Sequence, residues 1–365
     1  TSRPQNSLHG SSTLTRSDPA RPPVGPRYVF VDSLRGLAAC AVMLYHYSGG
    51  DLCAPLAEAL SFPVVAALRG GWLGVQVFFV LSGFVIAKTV GDRAMTPMGA
   101  ARFALRRQVR LDPPYWASIA LACASAWAFG VSRHQAYSLP SLRSIAAHVG
   151  YLQELLGIRA IQSVYWTLAI EVQFYLVLVV SLALLQPVRR QVVWVFLASA
   201  AWSLAQSMRW RFVHGWFIPH WYLFALGALA WWTPRRRAPF GAFVALVVWC
   251  AYQGHAYDRA EPVAGALVAA TLALAVHTGG LERWLAWRPL TFLGTISYGI
   301  YLLHTVVGAH VRALIGGLVH SRTPSGAVVV TALASAVTVV CAWGLYRAVE
   351  RPAMRLAARI RWSER

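Results

Sequence analysis

Long apolar stretches, separated by short polar segments that carry arginine, follow one another along most of the chain. A hydrocarbon core of about 30 Å is crossed by roughly 20 apolar residues of helix, so each stretch predicts one transmembrane helix. The pattern predicts an all-α fold, a polytopic membrane helix bundle of about ten transmembrane helices. The spans lie near residues 36–54, 72–90, 113–131, 165–186, 191–207, 219–233, 240–253, 262–277, 291–310 and 325–346.

The composition supports this prediction. Of the 365 residues, 57% are hydrophobic and 13% are charged, with a mean hydropathy of +0.50, which lies outside the usual balance of soluble proteins. The formal net charge of +20 does not indicate a nucleic-acid partner, because the arginines are dispersed between apolar spans. The five cysteines are scattered and odd in number, so neither a disulfide framework nor a metal site is predicted.

The distribution of basic residues predicts the orientation in the membrane. With the N-terminus in the cytoplasm, the segments on that side hold 24 of the 33 lysines and arginines, so both termini are predicted to be cytoplasmic. Residues 1–26 are polar and proline-rich and are expected to form a disordered cytoplasmic tail. Residues 27–356 form the membrane domain, and 357–365 form a basic cytoplasmic tail.

Ionisable side chains inside membrane spans are costly and are functional candidates. The stretch "VDSLRGLAACAVMLYHY" predicts a helix with Asp32 or Ser33 as its N-cap. Arg35 and His46 are eleven residues apart, so they share one helix face at a separation of about 16 Å. This places Arg35 near the cytoplasmic surface and His46 near mid-membrane. In the alternative interpretation neither residue is functional: Arg35 only determines the topology, and His46 only forms a hydrogen bond to a neighbouring helix.

The segment "RFALRRQVRLDPPYW" carries Arg107 and Arg110 just before another apolar span. Paired guanidinium groups suit phosphate through bidentate, charge-assisted hydrogen bonds. Pro113 and Pro114 are expected to stop the helix and so to fix the direction of the arginines. The alternative is that these arginines are part of an ordinary basic cytoplasmic loop.

A carboxylate lies within another span. Glu171, in "YWTLAIEVQFYLVLVV", is predicted to lie roughly 9 Å below the outer face, at a depth close to that of His46. Such a group needs a partner, and an imidazole or an arginine would serve. A substrate pocket is predicted to include further polar and aromatic side chains from the spans, namely Gln76, Ser82, Tyr115, Trp166, Gln173 and His304, although packing or core hydrogen bonds explain some of them equally well.

These groups together indicate a group-transfer reaction. A histidine can act as a general base, and a carboxylate can set its tautomer and support its charge. Arginines at the cytoplasmic mouth would hold an anionic donor such as acyl-coenzyme A, and a lipid-linked or other phosphorylated donor is also compatible with the spacing. Alternative functions are a transporter or flippase with a polar path, which would favour inverted repeats or broken helices, and a structural scaffold or sensor.

Six segments of the chain resemble motifs of a known protein family and occur in the same order. They are "VDSLRGLAACAVMLYHY", "GWLGVQVFFVLSGFVI", "RQVRLDPPYW", "YWTLAIEVQFYL", "LGTISYGIYLLHT" and "VERPAMRL". From about residue 27 to residue 356, the chain resembles the integral-membrane acyltransferase 3 family. These are bacterial O-acyltransferases that modify polysaccharides, lipopolysaccharide, peptidoglycan and some antibiotics. The chain ends nine residues after the last segment, so the resemblance implies the form without an appended esterase-like domain.

The resemblance implies roles for matching residues. The family's arginine and histidine motif falls on Arg35 and His46, the histidine being regarded as catalytic. Its paired-arginine motif, associated with acyl-donor binding, falls on Arg107 and Arg110, and its glutamate falls on Glu171. Gln76 and Tyr47 depart from the family, since many relatives carry aspartate and a second histidine there, which bears on the acceptor.

The expected function is therefore an enzyme of the bacterial cytoplasmic (inner) membrane. An O-acyltransferase of this kind would move an acyl group, most simply acetyl, from acyl-CoA to a hydroxyl of a carbohydrate or of a glycosylated or polyketide acceptor. His46 would be the base, oriented by Glu171. Its partners are acyl-CoA, the acceptor and membrane lipid, with no bound cofactor, and the sequence carries no signal for an oligomeric state.

Overall fold

The computed structural model describes residues 28–91, 96–132, 139–184, 192–209, 215–235, 239–315, 318–320 and 322–361. All regular secondary structure within these ranges is helical, which confirms the predicted all-α fold. The predicted tail at residues 1–26 lies outside the described residues, as do the last four residues of the predicted basic tail.

The helices are α1 (Val29–Tyr47), α2 (Cys53–Ala59), α3 (Phe62–Arg69), α4 (Gly74–Val90), α5 (Pro97–Ser132), α6 (Leu142–Val149), α7 (Trp166–Leu184), α8 (Val192–Arg209), α9 (Trp221–Trp232), α10 (Phe240–Ala256), α11 (Ala260–Thr278), α12 (Arg288–Thr295), α13 (Ser297–Ile315), α14 (Pro324–Leu345) and α15 (Arg351–Arg359). A single π-helical turn, Tyr346–Glu350, joins α14 to α15.

Within the described chain, five helical segments are long and apolar enough to cross a membrane. They are Val29–Tyr47, Gly71–Val90, Ala260–Thr278, Ser297–Ile315 and Pro324–Arg359. Shorter apolar helices cover Trp166–Ser181, Val193–Ser207 and Phe240–Ala256. Together these segments agree with a polytopic membrane bundle. The number of ten transmembrane helices remains a prediction.

Helix α9 forms the centre of the bundle. All twelve of its residues are buried, and it packs against α4, α8 and α11. The closest approach is to α4, where a Cβ on Gly83 would overlap the carbonyl oxygen of Phe224 and a Cβ on Gly227 would overlap that of Val80. Glycine is therefore required at both positions, because it lets the two backbones touch as small residues do in membrane helix pairs.

The start of α1 differs from the predicted one. The helix begins at Val29, ahead of Asp32 and Ser33, and it has no side-chain N-cap. The Ser33 hydroxyl instead donates to the carbonyl of Leu285, 2.8 Å away. A long-range hydrogen bond thus satisfies the side chain that was expected to cap the helix.

The predicted stop at Pro113 and Pro114 is wrong, since α5 continues through both prolines. Proline has no backbone donor, so the carbonyls of Val109 and Arg110 lose their helical partners, a loss that helices inside membrane bundles tolerate. The next carbonyl, that of Leu111, accepts a hydrogen bond from the Tyr298 hydroxyl, 3.0 Å away. One continuous helix therefore carries the paired arginines and the following apolar span.

We predict that Gly83→Ala destabilises the protein, because the added methyl group must push α4 and α9 apart. Overpacking of this kind costs about 1–3 kcal/mol. The matched control is Gly344→Ala on α14, where an added Cβ meets no atom within 4 Å. Thermal unfolding in detergent, followed by size-exclusion fluorescence, should show a lower Tm for Gly83→Ala only. Equal Tm values for both variants would contradict the close helix contact.

Candidate active site

A cavity of about 640 Å³ lies between α1, α4, α5, α7, α13 and α15. Its wall follows α4 from Val75 to Thr89, which corresponds to a length of about 21 Å at the rise of an α-helix. The wall is mainly apolar, with a small number of polar side chains. This combination is typical of a site for an elongated small-molecule ligand.

One end of the cavity is strongly basic. Arg35 from α1 meets Arg106, Arg107 and Arg110 from α5, and Glu171 is the acidic group among the described lining residues. The structure thus brings together the three arginines predicted from separate segments. Arg106 was not among the predicted site residues, although its spacing of four residues from Arg110 along one helix indicates that the two share a face.

Glu171 bridges two helices at this basic end. Its Oε1 atom accepts hydrogen bonds from Nη2 of Arg107 and from the hydroxyl of Ser82, each at 2.9 Å. The predicted orientation of His46 by Glu171 is therefore corrected: the carboxylate is held by an arginine and a serine. The sequence predicts a similar depth for both residues, whereas the structure places Glu171 at the arginine end of the cavity and His46 beyond its other end.

His46 lies at the other end of α1, against α13. Its Nδ1 atom is 2.9 Å from the carbonyl oxygen of Val42 and 3.2 Å from Nε2 of His304. The His304 ring is fully buried, and its own Nδ1 is 2.8 Å from the carbonyl oxygen of Tyr301. The predicted site histidine His304 is thus brought into contact with His46.

The partners of this histidine pair indicate the tautomers. A nitrogen beside a carbonyl oxygen carries its proton, so both Nδ1 atoms are assigned as N–H donors. His304 then presents the Nε2 lone pair to the Nδ1–H of His46. Within the described residues, Nε2 of His46 has no hydrogen-bond partner and is available to accept a proton.

The cavity does not extend to this histidine pair, contrary to the expectation of one continuous pocket. Tyr301 and Phe78 line the cavity, and their rings meet edge to face at a centroid distance of 5.6 Å. The other side of Tyr301 faces His304, with ring centroids 5.8 Å apart. These two aromatic rings therefore separate the arginines from His46.

The two glutamines predicted for a substrate pocket lie outside this cavity. Gln76 is 6% exposed, and its amide, oriented as a donor, reaches two carbonyls of the preceding turn at 3.2 Å. Gln173 donates to the carbonyl of Gly215 at 2.6 Å and accepts from the backbone of Phe217 at 3.2 Å. Gln173 thus fastens the segment before α9 to α7.

The two predicted aromatic pocket residues also lie outside the cavity lining. Tyr115 is fully buried and stacked on Tyr151 at a centroid distance of 4.7 Å, and its hydroxyl lacks a hydrogen-bond partner in the described structure. Trp166 packs against Phe79 and His220, with centroids 6.3 and 5.6 Å away. Trp166 thus contacts Phe79, which lines the cavity, but does not line the cavity itself.

One residue was missed by the sequence reasoning. Glu350, on the π-helical turn, is 4% exposed, and its Oε2 has no partner among the described residues. It interacts electrostatically with Arg35 and Arg110, so it adds negative charge beside the arginine end. The signal was an acidic residue in an otherwise basic segment, "YRAVERPAMR".

In the part of the chain described, no group of three or more histidine, cysteine or acidic side chains is arranged to hold a metal ion.

Comparisons with known proteins agree with the resemblance. The profile of the acyltransferase 3 family, described as an acyltransferase domain, matches residues 28–347. BcsY of Komagataeibacter xylinus, whose name describes a membrane-bound transacylase, is 30% identical over 75% of this chain and 71% of its own length. Nodulation protein 10 of Rhizobium leguminosarum bv. viciae is 27% identical over 89% of this chain and 93% of its own.

A further relative is named for its reaction. The peptidoglycan O-acetyltransferase OatA of Listeria monocytogenes is 26% identical over 75% of this chain, and the match spans 48% of OatA. No solved structure matches the chain. The family profile covers most of the sequence, and the apolar helices are those of a multi-pass membrane protein. The chain therefore belongs to the acyltransferase 3 family and is a membrane acyltransferase.

Proposed function

We propose that this enzyme transfers an acetyl group from acetyl-CoA to a hydroxyl of a carbohydrate or of a glycosylated polyketide. The bacterial inner membrane is its proposed location, with about ten crossings and both termini in the cytoplasm. The observation that carries the proposal is the elongated cavity with four arginines at one end and, beyond the other end, a histidine with a free nitrogen. The transporter alternative has no comparable support from the described residues.

The arginines are the proposed binding site for the donor's phosphates. Arg35, Arg106, Arg107 and Arg110 face one space, and guanidinium groups bind phosphate through paired, charge-assisted hydrogen bonds. Glu171 has the role of a positioning residue, because its contact with Arg107 fixes the direction of that guanidinium. The elongated cavity then leads from the phosphates toward Tyr301, as the long arm of coenzyme A requires.

His46 is the proposed general base. Its Nε2 takes the proton from the acceptor hydroxyl while the oxygen attacks the thioester carbonyl carbon. The carbon–sulfur bond breaks, the thiolate of coenzyme A leaves, and the proton on His46 is passed to it. Because Tyr301 and Phe78 separate the cavity from His46, this step requires the Tyr301 ring to turn aside with the donor bound.

The acceptor class is supported by the relatives. OatA is named for acetylation of peptidoglycan, whose glycan strands offer hydroxyl groups, and this supports a carbohydrate acceptor here. A glycosylated polyketide presents the same chemical group, a sugar hydroxyl. Both classes therefore belong in the acceptor panel of the first experiment.

We predict that His46→Ala reduces acetyl transfer by about 10²–10⁴-fold, the usual contribution of a general base. The assay is mass spectrometry of glycan and glycosylated polyketide acceptors incubated with acetyl-CoA and purified enzyme. His277→Ala, which removes an exposed histidine near the end of α11, is the matched control and should retain transfer. Transfer at the wild-type rate by folded His46→Ala protein would remove His46 from the mechanism.

We also predict that Arg107→Ala and Glu171→Gln weaken acetyl-CoA binding. Losing a charge-assisted hydrogen bond typically costs about 1.5–3 kcal/mol, so the Kd for Arg107→Ala should rise roughly 10- to 100-fold. Glu171→Gln should cause a smaller rise, because Arg107 stays but is held less firmly. Isothermal titration calorimetry in detergent measures both, with the exposed Arg288→Ala as control. An unchanged Kd for Arg107→Ala would exclude the arginine end as the donor site.

A further inference from the structure

The end of the cavity opposite the arginines is closed by packed side chains. Tyr301 is 6% exposed, and its hydroxyl lies 2.7 Å from the Thr167 hydroxyl and 3.2 Å from the carbonyl oxygen of Val164. Phe78 packs edge to face against the Tyr301 ring. Two hydrogen bonds and one aromatic contact therefore fix the position of the ring that ends the cavity.

Protein rather than open space lies behind this closed end. His304 is fully buried and contacts the far side of the Tyr301 ring. His304 is in turn held by its Nδ1 hydrogen bond to the backbone of its own helix. The Tyr301 ring is thus supported from behind while the enzyme binds its donor, and turning it aside for the proposed transfer step breaks its hydrogen bonds to Thr167 and Val164.

The depth of the last, apolar part of the cavity follows from helix geometry. Ser82 and Glu171 form a polar pair across the cavity, and the closing residues Phe78 and Thr167 each lie four residues from one member of that pair. At 1.5 Å per residue, the step from Glu171 to Thr167 on α7 corresponds to about 6 Å, and the step from Ser82 to Val75, the last lining residue of α4, to about 10 Å. This space accommodates a short acyl group such as acetyl.

We propose that Tyr301, held by Thr167 and packed on Phe78, sets the length of the acyl group that the enzyme accepts from its donor. The inference rests on the proposed function, because contact with Tyr301 limits the length of the acyl chain only if the arginines hold the donor's phosphates at the other end. A donor with a short acyl group fits between the two ends. Each further carbon has to displace the Tyr301 ring or withdraw the phosphates from the arginines.

The test is the affinity of purified enzyme, in detergent, for coenzyme A and for acetyl-, butyryl- and hexanoyl-CoA. The wild type should bind acetyl-CoA more tightly than hexanoyl-CoA. Tyr301→Val removes the ring, and each methylene that enters the freed space should improve binding about fourfold. The hexanoyl-to-acetyl affinity ratio should therefore rise about 16-fold if two methylene groups enter that space.

Three further variants make the result specific. Phe78→Ala opens the same end from a different helix and should raise the ratio as Tyr301→Val does, so it decides the question if Tyr301→Val does not fold. Tyr301→Phe keeps the ring but loses both of its hydrogen bonds, so the ratio should rise less than for Tyr301→Val. Val85→Ala enlarges the cavity toward the arginine end, so the ratio should also stay unchanged.

A wild-type ratio in folded Tyr301→Val and Phe78→Ala, with acetyl-CoA still bound, would overturn the role of Tyr301 and leave the proposed function standing. An equal rise for Val85→Ala would also overturn it, because any enlargement of the cavity would then suffice. If the wild type binds neither coenzyme A nor acetyl-CoA, the donor assignment fails and this inference fails with it. Acetyl transfer measured on the same preparation separates these outcomes.

Discussion

The ion pair between Arg107 and Glu171 is the interaction on which the arrangement of the site depends. Through the added hydrogen bond from Ser82, it ties α5, α7 and α4 together around one cavity. Charged groups removed from water need partners, and separating a buried pair is costly because the remaining charge stays uncompensated. The pair therefore links these helices and sets the direction of one arginine. The other arginines are left facing the cavity beside it.

The site has two parts with different chemistry. The arginine-lined cavity suits an anionic, elongated donor, whereas the pair His46 and His304 suits proton transfer. Tyr301 belongs to both parts, because one side of its ring lines the cavity and the other contacts His304. Such a division keeps the donor away from the base until a side chain moves. It offers a physical way for a membrane enzyme to limit wasteful hydrolysis of the thioester.

Much of the fold could be predicted from the sequence, because apolar runs of transmembrane length have few alternatives to helix. Helix α4 follows its predicted span, 72–90, closely, whereas α1 begins and ends seven residues before its predicted span, 36–54, and α13 ends five residues after its own, 291–310. The stop expected at Pro113 failed, since helices inside a membrane bundle tolerate proline and the local preference for a helix end is overridden. The central position of α9 was not predicted, because hydropathy alone cannot distinguish a helix surrounded by protein from one surrounded by lipid.

The candidate site was predicted in part. Spacing along single helices and the family resemblance identified Arg35, Arg107 and Arg110, and the structure brings them together. The sequence left the partner of Glu171 open between an imidazole and an arginine, because the arrangement of helices around one another is absent from a one-dimensional pattern, and the structure shows Arg107. For the same reason, Gln173 was interpreted as a pocket residue although its amide fastens a loop.

The most direct test of the account is a cryo-electron microscopy structure of the enzyme with coenzyme A bound. The account predicts phosphate oxygens within hydrogen-bond distance of Arg107 and Arg110, with the thiol pointing along the cavity toward Tyr301. Coenzyme A bound at another surface, with the arginine-lined cavity filled by lipid or protein side chains, would contradict it.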